Sequence, residues 1–111
     1  MSEPTAAELF DEATGDVAMG EMEEALKKYR RCVELEPDFF DAWHAMGMAL
    51  MKTGRFREAI DAGLRATELQ PNDQLAWSSL SMFYVREGMI AEAEAAGAKA
   101  RILSWGGKVK K

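Results

Sequence analysis

Cysteine and histidine are nearly absent from this sequence, with one residue of each among 111. The single cysteine, Cys32, excludes a disulfide bond within the chain. One histidine, His44, and scattered carboxylates do not supply the ligand set of a zinc site. The sequence also lacks a nucleophile motif, a Ser–His–acid order and a glycine-rich phosphate loop. We therefore expect a protein that is not an enzyme and that carries no cofactor and no metal.

Long apolar runs are missing as well. No stretch approaches the roughly 20 apolar residues that cross a membrane. The acidic amino terminus lacks the apolar run of a signal peptide, so we expect a cytoplasmic protein without membrane insertion. The formal net charge is −5. Because phosphate contacts need a basic surface, this charge argues against a nucleic-acid partner.

The charges that are present are unevenly spread. Eight acidic residues and no bases precede Lys27, whereas five basic residues and no acids follow Ala98. One interpretation is that both ends are simply solvated, and the other is head-to-tail attraction between copies of the chain. We favour solvated ends, because exposed charges are screened within about 8–10 Å at physiological salt.

Proline, tryptophan, glycine and alanine recur at a spacing of 34 residues. The residues that show this spacing are Pro37 and Pro71, Trp43 and Trp77, Gly20, Gly54 and Gly88, and Ala25, Ala59 and Ala93. Independent residue types agree on one period. This period divides nearly the whole chain into the frames 6–39, 40–73 and 74–107.

The stretch from Trp43 to Pro71 resembles one unit of the tetratricopeptide repeat (TPR) family. Its small and large apolar places are filled by Trp43, Met46, Gly47, Leu50, Gly54, Ala59, Ala66 and Pro71. Units of that family are pairs of antiparallel helices, and about three stacked units are the usual minimum for stability. The resemblance implies an all-α fold, namely a right-handed α-solenoid of three helix-turn-helix repeats. We expect a single TPR domain over residues 1–107 and a disordered basic tail over 108–111.

The turn residues predict six helices, over about 6–19, 21–35, 40–53, 55–69, 73–87 and 90–105. Thr5 and Glu8 form the pattern of a capping box at the first helix. That helix is the least typical one, because Glu12 and Asp16 stand at the places of Met46 and Leu50. It is expected to be either rotated relative to the family or frayed.

Four further residues have predicted packing roles. Trp43 and Trp77 are expected to be core anchors of their units. Gly63 and Gly97 indicate either close helix packing, with room for a tryptophan or a methionine of the facing helix, or an internal cavity. We favour close packing, because protein interiors tolerate few voids.

The resemblance also implies a function, since the family commonly binds a peptide or another protein in a concave groove lined by the first helix of each unit. Transferred place by place, the groove residues are Phe10, Thr14, Val17, Asp41, His44, Ala45, Met48, Met51, Lys52, Ser78, Ser79, Met82, Val85 and Arg86. Some members grip a carboxylate there with a lysine and asparagines. The corresponding places hold Phe10, His44 and Ser78, and Thr14, Met48 and Met82, so that carboxylate clamp is absent.

Met48, Met51 and Met82 fall on groove places, while other residues fill the core places of the same helices. Because Met48 is turned about 200° from Leu50 at 100° per residue, the methionines predict an apolar surface opposite the core. We expect this groove to bind an amphipathic helix or an apolar peptide of a protein partner. The alternatives are a groove that is empty or filled by the chain's own tail, and a self-associating scaffold, such as a homodimer, that uses the groove or the end faces. His44 is interpreted either as a groove residue that senses pH or donates to a ligand, or as a residue that is simply solvated or packed.

The ends of the array differ from its interior. Leu26 and Ile60 share a place that meets the next unit, and Glu94 fills it in unit three. Polar outer copies are typical of terminal repeats, so the pattern predicts a complete array without endless stacking. Ile102, Leu103 and Trp105 are apolar exceptions, which we expect either to form a small docking patch or to fold back onto the core.

Overall fold

The computed structural model describes residues 2–109, and in this range the chain is helical with no strand. The helices are α1 (Ala6–Ala18), α2 (Met22–Leu35), α3 (Phe40–Lys52), α4 (Phe56–Leu69), α5 (Gln74–Glu87) and α6 (Ile90–Ser104). The predicted all-α solenoid of three helix pairs is confirmed, and the helix bounds differ from the predicted ones by one residue at several ends. Lys110 and Lys111, half of the predicted tail, lie outside the described residues.

Local chemistry explains where these helices begin and end. The Thr5 hydroxyl accepts a hydrogen bond from the Glu8 amide at 3.1 Å, and the Thr5 amide donates to the Glu8 carboxylate at 2.9 Å. This pair is the predicted capping box, and it lowers the pKa of Glu8 through the hydrogen bonds from the backbone and side chain of Thr5. Gly20, Gly54 and Gly88 follow the first helix of each unit with φ near +80°. Glycine adopts this left-handed conformation without steric cost, so the chain can turn into the second helix.

The helix pairs stack into an elongated body of 47 × 26 × 20 Å. Within each unit the two helices pack on each other, and α2 packs on α3 as α4 packs on α5. The first helices also pack closely on one another, α1 with α3 and α3 with α5, whereas over residues 2–109 the backbones of the second helices lie farther apart. Helices α2 and α4 meet through the long side chains of Arg30 and Glu58. The first helices therefore form the closely packed side of the stack, which we call the inner face. The second helices form the outer face.

Phe83 packs at the junction between units two and three. Its side chain is only 1% exposed. A Cβ atom placed on Gly47 would lie 3.0 Å from the ring of Phe83, and one placed on Gly63 would lie 3.1 Å from it. Close packing at Gly63 is thus confirmed, but the expected neighbours were wrong. The facing group is Phe83, together with Leu80, rather than a tryptophan or a methionine.

The tryptophans are less deeply placed than expected. Trp43 and Trp77 are half-buried at the edge of the core. Their indole Nε1 atoms donate to the carbonyl oxygens of Pro37 at 2.7 Å and of Pro71 at 2.8 Å. Because the indole N–H needs a hydrogen-bond partner, these residues tie the start of a unit to the turn before it.

Helix α1 is regular in spite of its carboxylates. Ala6, Leu9 and Ala13 are its buried residues. Asp16 continues the same face one turn after Ala13, where it is half-buried and its carboxylate accepts a hydrogen bond from the Lys28 ammonium of α2 at 2.8 Å. An ion pair between helices thus replaces an apolar contact of unit two, and it raises the pKa of Lys28.

The ends of the stack follow the predicted polarity. Leu26 and Ile60 are buried, whereas Glu94 at the same place of unit three is exposed. Ile102 and Trp105 are exposed, Trp105 by 79%, and therefore do not fold back onto the core. Leu103, the third residue of this cluster, is half-buried, so the exposed apolar patch consists of Ile102 and Trp105.

Two glycine substitutions test the packing of Phe83. We expect Gly63→Ala to lower the free energy of unfolding by roughly 1 kcal/mol, because overpacking of about 1–3 kcal/mol exceeds the gain in helix propensity of about 1 kcal/mol. Gly15→Ala should instead raise it by about 0.5–1 kcal/mol, since, apart from the adjacent residues and the backbone of its own helix, no atom lies within 4 Å of a Cβ at that position. Urea unfolding measures both, and equal effects would contradict the placement of Phe83.

Candidate functional site

All fourteen predicted groove residues lie on α1, α3 and α5, the helices of the inner face. Their exposure divides them into three groups. The exposed ones are Thr14, Asp41, Lys52, Ser78, Val85 and Arg86. The half-buried ones are Phe10, Val17, His44, Ala45, Met48, Met51 and Met82. Ser79 is buried, with 4% of its surface exposed, and therefore offers little to a ligand.

The apolar members lie at the border between core and surface. Phe10, Val17 and the three methionines pack against the buried core while keeping part of their surface accessible. The ring of Phe10 lies 5.2 Å from that of Phe39 and 5.9 Å from that of Tyr29, measured between centroids. Val85 on α5 is more open, with 52% of its surface exposed. The inner face thus carries apolar side chains that are packed on the core at their base and partly accessible from outside, and we call this set the apolar base.

His44 connects α3 to α5. Its Nε2 atom lies 3.0 Å from the hydroxyl oxygen of Ser79, and its ring stacks on Phe40 with 6.0 Å between the centroids. Burial lowers the pKa of His44, and the negative charges of Asp73 and Asp41 partly oppose this shift. The neutral imidazole is therefore the form that the fold favours. This geometry supports the interpretation of His44 as a packed residue. Its contact with Ser79 should depend on pH, because protonation charges the ring.

The polar members surround this base. The Thr14 hydroxyl donates to the carbonyl oxygen of Phe10 at 2.9 Å and lies 3.3 Å from the hydroxyl of Tyr29. Arg86 places its guanidinium carbon 6.0 Å from the ring centroid of Phe56. Asp41 and Lys52 are exposed at opposite ends of α3. Charges of both signs therefore border the apolar base.

Sequence reasoning missed a cleft on the outer face. It has a volume of about 420 Å³ and is lined by Leu64, Thr67, Glu68, Pro71, Trp77, Lys99 and Val109. The Lys99 ammonium lies 4.4 Å from the centroid of the Trp77 ring. The sequence did contain a signal, because Leu64 stands 34 positions after Arg30 and puts a large apolar residue where unit one has a charged one.

Other reactive groups do not form a second site on the inner face. Cys32 is buried, its thiol donates to the Ala6 carbonyl oxygen at 3.3 Å, and burial raises the pKa of the thiol. Over residues 2–109, no group of three or more His, Cys, Asp and Glu side chains is arranged to hold a metal ion. Within the same range, none of the helices combines the length and the apolar character needed to cross a membrane.

The fold and the repeat pattern together define the class. The family model described as tetratricopeptide repeat matches residues 16–83, more than half of the chain, and the chain belongs to that family. No curated protein sequence gives a significant match.

Several solved structures are similar to most of this chain. A MamA structure is similar at a TM-score of 0.88 and 27% identity, covering 95% of this chain and 57% of that one. The second TPR of Spaghetti (RPAP3), bound to the HSP90 peptide SRMEEVD, has a TM-score of 0.84 at 20% identity and covers 89% and 92%. The CopN–Scc3 complex contains a chain with a TM-score of 0.85 at 17% identity, covering 88% and 58%. This chain spans only 55% to 60% of the first MamA chains.

The His44 contact predicts a pH dependence of stability. The pKa of a free histidine is about 6.5, and the folded value is lower. Between these values the unfolded chain binds more protons than the folded one, so the free energy of unfolding must fall as the pH falls through this range. His44 is the only histidine, so His44→Gln is a clean control that keeps hydrogen-bonding groups but does not titrate. Urea unfolding between pH 7.5 and 5.5 should show a steeper decrease in the free energy of unfolding for the unmodified chain than for His44→Gln. Parallel curves of this free energy against pH would contradict the role of His44.

Proposed function

We propose that the protein is an interaction module whose inner face binds an amphipathic helix or an apolar peptide segment of a protein partner. The observation that carries this proposal is the set of partly accessible apolar side chains on α3 and α5, which are Met48, Met51, Met82 and Val85. They share one face of the stack with Phe10 and Val17 of α1. An apolar helix face fits such a groove through residues spaced three and four apart.

Methionine suits this role for a physical reason. Its side chain is unbranched, flexible and polarizable, so a surface of methionines can adapt to partners of different shape. The half-burial of Met48 and Met82 means that part of each side chain supports the core while the rest faces outward. The surface is therefore anchored in place, and a ligand would bury apolar area that is now in water.

The comparisons support a function in binding peptides or proteins, without indicating which kind of ligand this chain binds. One similar structure holds a peptide, and another is a complex of two proteins. The carboxylate clamp of some family members needs a lysine and asparagines, whereas this chain has Phe10, His44 and Ser78, and Thr14, Met48 and Met82, at the corresponding places. We therefore propose that the side chains of the ligand, and not a terminal carboxylate, determine binding.

Charge introduced on the inner face tests the proposal. Peptides selected from a random library for binding to the unmodified chain should contain apolar residues at helical spacing. Met48→Glu combined with Met82→Glu should lower the affinity for these peptides by at least about tenfold, or 1.4 kcal/mol, because a carboxylate that is buried under the ligand loses its hydration. Fluorescence anisotropy with labelled peptides measures the affinity, and a peptide with an amidated carboxyl terminus should bind as well as the free acid.

Controls separate loss of binding from loss of fold. Helical circular dichroism must be retained, and Val85→Glu is a second variant at a position that is already exposed. Leu35→Glu introduces the same charge on α2 at a residue that is also partly exposed, and it should leave binding unchanged. If Leu35→Glu lowered the affinity for the peptides while the inner-face variants did not, the inner face would not be the binding site.

The second candidate is a self-associating scaffold. Its support is the separation of charge along the chain, together with the exposed side chains of Ile102 and Trp105 near the end of α6. Against open-ended stacking stand the exposed charges of Glu8 and Glu94 at places that are apolar in the interior of the array.

Sedimentation velocity decides between limited and open-ended association. We expect no growth of long polymers as the protein concentration rises at low ionic strength, where unscreened attraction between the two ends would be greatest. A second copy bound through the inner face would instead give a dimer that Met48→Glu with Met82→Glu dissociates. A continuous increase of the sedimentation coefficient would contradict the prediction and establish stacking.

A further inference from the structure

The outer face has different chemistry at its two equivalent junctions. Between units one and two, Arg30 pairs with Glu58 at 3.0 Å, and Arg65 donates to the Pro37 carbonyl oxygen at 3.4 Å. One repeat later, Leu64 replaces Arg30 and Lys99 replaces Arg65. The result is the cleft of about 420 Å³ described above, with Leu64 39% exposed at its edge. We call it the outer cleft.

The end of the described chain returns to this cleft. Gly106 has φ of +84°, and the Gly107 amide donates to the Ile102 carbonyl oxygen at 2.9 Å, which reverses the chain after α6. Val109 is then half-buried and lines the cleft. Its amide donates to the side-chain oxygen of Asn72 at 3.0 Å. The sequence predicted a disordered tail over residues 108–111, whereas Val109 is half-buried and makes this hydrogen bond.

We propose that the outer cleft is a docking site for an extended segment with a branched apolar side chain next to lysine, and that residues 106–109 of the same chain occupy it. Leu64, Pro71 and Trp77 give Val109 an apolar surface. Asn72 provides a hydrogen-bond acceptor for the backbone of the segment. The tail therefore competes with other segments for the outer cleft.

Charge is complementary between the two parts. Glu68 lines the outer cleft, and Glu92 lines the adjoining depression beside Trp77 and Lys99. The segment brings Lys108, and the sequence continues with two more lysines. The one cation of the cleft, Lys99, holds its ammonium over the Trp77 ring. A cation–π contact of this kind stabilises the charge there. An acidic segment would instead face Glu68 and bury like charges.

The repeat itself supplies the control for a test. Trp77 lines the outer cleft, whereas Trp43 occupies the equivalent place one unit earlier with an equivalent indole hydrogen bond to a proline carbonyl. In nitrogen–proton correlation spectra of the full chain, Val109→Asp should shift the indole resonance of Trp77 and leave that of Trp43 unchanged. Asn72→Ala should shift Trp77 in the same direction, while Val109→Ile should leave it near its original position.

Addition of a peptide tests recognition directly. The acetylated peptide Gly-Lys-Val-Lys-Lys, added to the Val109→Asp chain, should return the Trp77 resonance toward the unmodified position. The same peptide should have less effect on the unmodified chain, where the tail competes. The proposal is overturned if the Trp77 resonance responds equally to Val109→Asp and Val109→Ile, or if the peptide shifts this resonance in neither chain. Docking on a second copy would make the Trp77 shift depend on protein concentration, and that result would overturn occupancy within one chain.

Discussion

The contact between the Phe83 ring and two glycines of the preceding unit fixes the junction on which the inner face depends. Gly47 and Gly63 belong to α3 and α4, so one ring from α5 packs against both helices of unit two. Packing at atomic density leaves little freedom for one helix to slide on another. Met82 is adjacent to Phe83 in sequence. The packing of Phe83 in the core therefore fixes the position of Met82 relative to Met48.

The inner face has a second tie at the same junction. The His44–Ser79 contact lies on α3 and α5 beside the proposed ligand-binding residues. Protonation would charge a half-buried ring whose burial already disfavours the charged form. The same pair thus contributes to the rigidity of the face and makes it sensitive to acid. A ligand that covers His44 would bury it further and extend this sensitivity to binding.

Much of the fold could be predicted, because proline and glycine act locally. Pro37 and Gly54 end or turn helices through their own backbone restrictions, and these do not depend on distant contacts. The burial of Phe83 could not be read in the same way. In unit one the aromatic residue at the place of Gly63 is Tyr29, whereas in unit two the aromatic comes from the next helix. This replacement of one aromatic residue by another from the next unit can be seen only in the folded structure, where the two units pack together.

The site shows the same division between local pattern and packing. Repeat spacing placed every candidate residue on a first helix, because helical periodicity is a property of one segment. Repeat spacing did not distinguish exposed Val85 from buried Ser79, because that difference depends on the neighbouring helix, where His44 of α3 contacts Ser79. The position of Val109 was also beyond the pattern. A chain reversal followed by one hydrogen bond to Asn72 has no periodic signal.

The transfer of an aromatic residue from one unit to the next means that the three repeats are not interchangeable parts. Unit one fills the space between its helices with its own Tyr29, and unit two leaves that space at Gly63 for Phe83 of unit three. If unit two were duplicated in an extended array, the side chain opposite Gly63 would be that of Ala49, which occupies the place of Phe83. A methyl group cannot fill the volume of a phenyl ring, so the new junction would contain a cavity. An engineer who lengthens this array must therefore move residues in pairs across each junction, and a library that shuffles whole repeats would lose stability at most of its joints.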